Sequence, residues 1–159
     1  YVNFFLMNVY RLLKPVIRFF TSLHIKLYLK YDGKYLGSIN GYPICLLTTI
    51  GRKTGLPRVI PLLTIPYEGN YILVASQGGA PVHPIWYLNT LENPNIVLQI
   101  GAEKMEMIAT ELDYEQKANI WPMIVKAYPD YDAYKKRTDR DIPVLICKTV
   151  DWLGNYFFM

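Results

Sequence analysis

The stretch Ala75-Ser-Gln-Gly-Gly-Ala-Pro-Val-His-Pro-Ile-Trp-Tyr-Leu-Asn89 decides how the chain is read, because an apolar strand stops there and a helix begins. Tyr71 to Ala75 is β-prone, Gly78 and Gly79 permit positive φ, and Pro84 suits the first turn of a helix carrying Trp86, Tyr87 and Asn89. Backbone amides at such a corner are available to an anion or a ring carbonyl. The simpler reading is a strand-to-helix connection with good turn chemistry.

Outward from this corner, the chain reads as β-strands with flanking helices. Upstream, Ile44 to Ile50 is a strand and Gly51-Arg-Lys-Thr-Gly55 a tight loop. A second strand then runs from Arg58 to Ile65, which Pro61 and Pro66 assign to an edge or a bulge. The hairpin tip presents Arg52 and Lys53, with Arg58 at the start of the returning strand. Three cations around a glycine loop suit a phosphate or carboxylate, although each alone also suits solvent. The spacing is not that of a Walker loop. Glu68-Gly69-Asn70 predicts a turn, and Tyr71 to Ser76 a third strand that brings the two candidate sites together.

Downstream, the pattern predicts a helix over 84–92, a strand over 95–100, a strand over 103–112 with Met105, Met107 and Ala109 on one side, a helix over 114–127 and a closing strand over 144–147. Tyr128, Tyr131 and Tyr134 recur every third residue, which on a helical turn puts them on one side, as core or as a pocket wall. Asp32 to Pro43 reads as a glycine-rich linker.

The 159 residues fit one compact domain, with residues 44–148 as its β-rich body, residues 1–31 as a helical segment and residues 149–159 as an aromatic tail. Residues 1–31 carry Arg11, Lys14, Arg18, Lys26 and Lys30, no acid, and bulky apolar residues on the opposite side of a helical wheel, with Pro15 as a kink or a new start. Such a helix can cover the body of the domain or lie on an anionic membrane leaflet. Residues 1–67 hold nine Lys/Arg against one acid, and residues 68–159 eight against twelve, so the front half implies an anionic partner. No nucleic-acid reading motif accompanies it. Cys45 and Cys147 sit in apolar runs without a metal-ligand spacing, which predicts buried free thiols, no metal, and a cytoplasmic chain, with the N-terminal helix as a possible contact to the inner membrane face.

Three blocks in order, LLTTIGRKTGLPR (46–58), ASQGGAPVHPIWYLNTLENP (75–94) and AYPDYDAYKKRTDRDIP (127–143), resemble the deazaflavin (coenzyme F420)-dependent nitroreductase family. The resemblance implies an α+β fold, an antiparallel split β-barrel of the FMN-binding kind. It implies hydride transfer from the reduced deazaflavin coenzyme to a quinone, a nitro compound or a similar small acceptor, with a lipid-soluble quinone as one candidate. Carried across by residue, Arg52, Lys53 and Arg58 hold the coenzyme's phosphate and acidic tail, and Ala75, Ser76, Gln77, Gly78, Gly79 and Ala80 line its ring and linker. Trp86 and Asn89 stand beside that pocket. Tyr128, Tyr131 and Tyr134 wall the acceptor, and Ser76 with Tyr131 or Tyr134 stabilises charge on its oxygen. Gln77 departs from the family's usual Lys or Arg, removing one contact to the tail. His83 reads as a loop-fixing residue and His24 as part of the N-terminal helix. An FMN enzyme of the same fold and a non-catalytic coenzyme or lipid-surface binder are the alternatives; the fold suits a monomer or a homodimer.

Overall fold

The structure is a computed structural model that describes the backbone of residues 2–150 and the side chains of residues 15, 16 and 18–150. The expected aromatic tail and the first half of the N-terminal helix's side chains lie outside the described residues. Helix α1 (Val2–Lys30) runs through Pro15 without a break in its assignment. The expected linker contains a short strand, β1 (Ser38–Ile39), paired with β2 (Tyr42–Ile50). Asn40 and Gly41, at φ 51° and 80°, make the two-residue turn between them. An Asn-Gly pair is the preferred sequence for such a hairpin, because both residues must adopt positive φ.

The expected strand over 58–65 is two strands, β3 (Pro57–Leu63) and β4 (Ile65–Tyr67). β3 pairs with β2, whereas β4 pairs with β5 (Asn70–Val74). After β5 come a 3-10 turn (Gln77–Gly79), helix α2 (Ile85–Glu92), and the strands β6 (Asn95–Ile100) and β7 (Glu103–Glu111). Helices α3 (Tyr114–Ala127) and α4 (Asp130–Arg137) then lead to β8 (Val144–Thr149). The pairings are antiparallel, in the order β1-β2-β6-β7-β8-β5-β4, with β3 on the remaining side of β2.

Only Thr64 separates β3 from β4, yet those strands stand at opposite ends of this order, so the sheet has to curl until its ends meet there. Thr64 is fully buried, its N–H donating to Pro43 O (2.9 Å) and its hydroxyl to Ile72 O (3.5 Å). This single-residue seam is what makes the sheet a split β-barrel. β3 is an edge strand, so Pro61 costs it no ladder bond on the open side.

Strand alternation distributes the core. Cys45, Leu47, Leu73, Leu98, Met107, Leu145 and Cys147 point to one face, where Trp86 and Tyr87 of α2 pack on them. Ile72, Val74 and Val144 point to the other, against Ile120 and Ile124 of α3 and Tyr131 of α4. β2 is buried on both faces, since Ile44 and Leu46 meet Tyr28 of α1, which explains its unbroken apolar run. Tyr28 is the anchor of α1: its hydroxyl donates to Ile44 O (2.7 Å) and accepts from Gly101 N–H (2.9 Å). Both cysteines are buried and free, and burial pushes the Cys45 thiol up to about 12.

Candidate functional site

The β2–β3 tip is shaped by Gly51, whose N–H donates to Leu56 O (2.9 Å) and whose carbonyl accepts from Thr54 N–H (3.0 Å) and Gly55 N–H (2.7 Å). A Cβ at Gly51 would stand 2.9 Å from Thr54 Oγ1 and 3.1 Å from Leu56 O, so a side chain there would crowd the tip. Asn89 of α2, almost fully buried, reaches across to it. Its Oδ1 accepts from Arg52 N–H (3.2 Å) and its Nδ2 donates to Thr49 Oγ1 (3.0 Å). Asn89 therefore sets where the cationic loop sits relative to the helix. Arg58 donates to Thr54 Oγ1 (3.2 Å), bringing its fork back to the tip.

Arg52, Lys53 and Arg58 are exposed and line a cleft of about 580 Å³ together with Arg18 of α1. Among the described residues, none of these four cations has a carboxylate within 4.0 Å. Unpaired like charges gathered round a cleft attract an anion. A second cleft of about 430 Å³ is lined by Ser76, Gln77, His83 and Tyr131. Ile60, Ile85 and Trp86 line both clefts, so the cationic mouth and the glycine corner are two ends of one groove with an apolar waist.

At the corner, Gln77 (φ 47°), Gly78 (φ 64°) and Gly79 (φ 76°) form a left-handed run after Ser76 in αR geometry. The Oε1 of Gln77 is buried and has no partner among the described residues, so it is free to accept from an N–H. Ser76 is buried against the cleft, and Ala75 is buried in the core beneath it. Ala80 follows, its carbonyl accepting from Arg140 Nε (2.8 Å). Gly79 is pressed against α4, where an added Cβ would lie 2.7 Å from Tyr134 O.

The three tyrosines come together, but not as one helical face. Tyr128 is the C-terminal cap of α3, and only Tyr131 and Tyr134 belong to α4. Pro129 separates the two helices. Ring centroids lie 5.2 to 6.2 Å apart, and the Tyr128 and Tyr134 hydroxyls are 3.4 Å apart. Tyr131 alone of the three lines the cleft, with Tyr128 and Tyr134 behind it. Burial raises the Tyr131 pKa, and the bond to Tyr134 followed by burial raises that of Tyr128, so both keep their protons as donors.

Four contributors were not legible as site residues in the sequence. Arg18 read only as one cation of an amphipathic face, and Ile60 and Ile85 only as periodic apolar positions. Arg140, in the third block, had no periodicity to single it out, yet its guanidinium lies under the corner. His83 does fix the loop: its Nδ1 contacts Arg140 Nη1 (3.3 Å) and its ring packs 5.1 Å from that of Tyr87. Tyr87 in turn donates to Glu111 (2.7 Å).

Known proteins resemble this chain over most of its length. The family model described as F420H(2)-dependent quinone reductase matches residues 21–149. A Mycobacterium tuberculosis protein named F420H(2)-dependent quinone reductase is 34% identical over 132 residues, covering 78% of this chain and 86% of its own. A second protein of that organism is 39% identical over 106 residues, covering 67% of this chain and 89% of its own. Among solved structures, an F420-H2 dependent reductase is 43% identical with a TM-score of 0.62, covering 67% of this chain and 94% of the other. Another, described as a domain-swapped dimer, is 37% identical with a TM-score of 0.64, covering 80% and 96%. With the matched region reaching from the middle of α1 to the end of β8, the chain belongs to the F420H(2)-dependent quinone reductase family.

Proposed function

We propose that this chain is an oxidoreductase that uses the reduced deazaflavin coenzyme F420 to reduce a quinone. The observation that carries the reading is the groove itself, with unpaired cations at one end, a glycine corner at the other and Trp86 between them. The residues fit the coenzyme. Arg52, Lys53, Arg58 and Arg18 suit an acidic, phosphorylated tail, and Ile60, Ile85 and Trp86 suit a flat ring. The orphaned Gln77 amide suits a ring N–H. Gln77 supplies no charge to the tail, and Arg18 offers a cation from another element.

The chemistry supplied by the reduced coenzyme, when bound, is donation of a hydride to a quinone, which needs one further proton to become the quinol. The protein's part is geometry and polarity. The waist offers the ring an apolar wall, Tyr131 stands against the acceptor with its hydroxyl protonated, and Ser76 offers a second hydroxyl at the corner to an oxygen gaining charge. Tyr128 and Tyr134 hold Tyr131 in place through ring packing.

A lipid-soluble quinone fits the setting of the cleft. Arg18 lines its mouth while Phe19 and Phe20, the next two residues of α1, are largely exposed, so the entrance lies beside an apolar surface. We assign α1 to peripheral contact with a lipid surface, and a homodimer is the assembly to test first, given the dimeric relative.

The test is a titration with the reduced deazaflavin coenzyme and, separately, with FMN, followed by tryptophan quenching, after which a menaquinone analogue is added. The expected result is binding of the deazaflavin and its oxidation on adding the quinone. Preferential binding of FMN would reassign the coenzyme, and binding without oxidation would make the chain a carrier. Lys53→Ala combined with Arg58→Ala should weaken deazaflavin binding at least about tenfold, since charged hydrogen bonds are the strong ones. Unchanged affinity would remove the tail from this end of the groove.

A further inference from the structure

We propose that Arg140 is the positioning residue of the glycine corner: its guanidinium gathers the carbonyls of Ala75, Ser76 and Ala80, leaving the corner's N–H groups for an oxygen of the bound ligand. The inference rests on the reading of this groove as the coenzyme and acceptor site.

A guanidinium carries five N–H donors in a rigid fork and no acceptor. In Arg140 the fork has five contacts. Nε donates to Ala80 O (2.8 Å), Nη2 to Ser76 O (2.7 Å) and Ala75 O (3.1 Å), and Nη1 to Asp141 O (3.2 Å) and His83 Nδ1 (3.3 Å). Among the described residues it meets no carboxylate within 4.0 Å, so the side chain is spent on backbone rather than on an ion pair. Because arginine can only donate, His83 Nδ1 accepts, and the ring keeps its proton on Nε2. Burial, then the charge of Arg140, lowers the His83 pKa in the same sense.

The amides on the other side of the corner divide cleanly. Ala75 N–H donates to Pro143 O, Gly79 N–H to Ser76 O and Ala80 N–H to Gln77 O. The N–H groups of Ser76, Gln77 and Gly78 donate to no acceptor among the described residues. Those three residues follow an αR-to-αL succession, the conformation that turns consecutive N–H groups into one concavity for an anion or carbonyl oxygen. Carbonyls drawn down by a half-buried cation and amides left free above make the corner polar in one sense before any ligand arrives. A lysine cannot do this, because a point charge with three donors does not span three carbonyls.

The experiment uses the full chain with Arg140→Lys and Arg140→Gln, and follows coenzyme affinity and backbone amide NMR signals. In the parent, saturation with the reduced deazaflavin coenzyme should shift the amide signals of Ser76, Gln77 and Gly78. Both variants should bind at least about tenfold more weakly, without rescue by lysine, and lose those shifts. Affinity of Arg140→Lys within about twofold of the parent would overturn the proposal. So would parent amide signals that stay put on saturation, an arm that decides the matter even where the variants fail to fold. A parent that binds no deazaflavin overturns the coenzyme reading and this inference together, whereas equal binding by parent and Arg140→Lys overturns this one alone.

Discussion

At the scale of single residues, the site depends on Asn89 as much as on the cations it serves. Asn89→Ala would leave Arg52 N–H and the Thr49 hydroxyl without their partner, a loss of about 1–3 kcal/mol in a buried setting. The expected outcome is a thermal midpoint lower by about 2–4 °C for each kcal/mol, together with weaker coenzyme binding because the loop loses its tether to α2. Salt dependence separates this from loss of a cation. Asn89→Ala should keep the slope of affinity against salt, since all the charges remain, whereas Lys53→Ala should flatten it. Equal slopes for the two variants would show that Lys53 does not face the anion. The cations were legible in the sequence because glycines bracket them. The role of Asn89 was not, because its partners lie 37 and 40 residues away and only the fold joins them. Arg140 was hidden for the opposite reason: an arginine in a charged loop reads as solvated until packing places a row of carbonyls in front of it.

At the scale of elements, the corner and α4 form one unit, and two neighbouring glycines test it. Gly78 and Gly79 both have positive φ, so alanine at either costs about 1–2 kcal/mol in backbone strain. Space separates them. A Cβ at Gly78 would meet nothing within 4 Å, while at Gly79 it would lie 2.7 Å from Tyr134 O and 2.9 Å from Arg137 Cβ. Gly78→Ala should therefore lower the thermal midpoint by the strain alone. Gly79→Ala should lower it clearly further and also raise the KM for the acceptor, because α4 has to move and carries Tyr131 with it. Equal midpoints would mean that α4 rides loosely on the corner. Most elements were readable from periodicity: β6, β7 and α3 fall within a residue of where the pattern put them. The misses have local causes. Thr64 breaks one strand into two because the sheet must close on itself. Pro129 ends the run that would have put Tyr128 on α4. The hairpin at Asn40-Gly41 was read as part of a glycine-rich linker, because the strand before it is only two residues long and stands among glycines.

At the scale of the whole molecule, described cations of the basic front half of the chain fall into two groups. Arg52, Lys53, Arg58 and Arg18 line the groove, and Lys26 and Lys30 stand exposed on α1 away from it. On the same helix Val16, Phe19, Phe20 and Leu23 are 42–66% exposed, spaced so that they share one side. No described helix is long and apolar enough to cross a membrane. A helix with an apolar stripe and nearby lysines instead suits the surface of an anionic bilayer, with the apolar side chains among the acyl chains and the lysines at the headgroups. Flotation of the full chain with vesicles tests this. Binding is expected with phosphatidylglycerol-containing vesicles, weaker on phosphatidylcholine alone and weaker again at raised salt, because lysine attraction to a charged surface falls off within a Debye length. Phe19→Ser with Phe20→Ser should abolish flotation on both lipids, while Lys26→Gln with Lys30→Gln should remove only the preference for the anionic one. Neither pair touches the groove, so reduction of a water-soluble quinone should persist in both, and reduction of a vesicle-borne quinone should fall with flotation. A parent chain that stays with the unbound fraction under every lipid and salt condition would reassign the stripe to contact with a second protein surface.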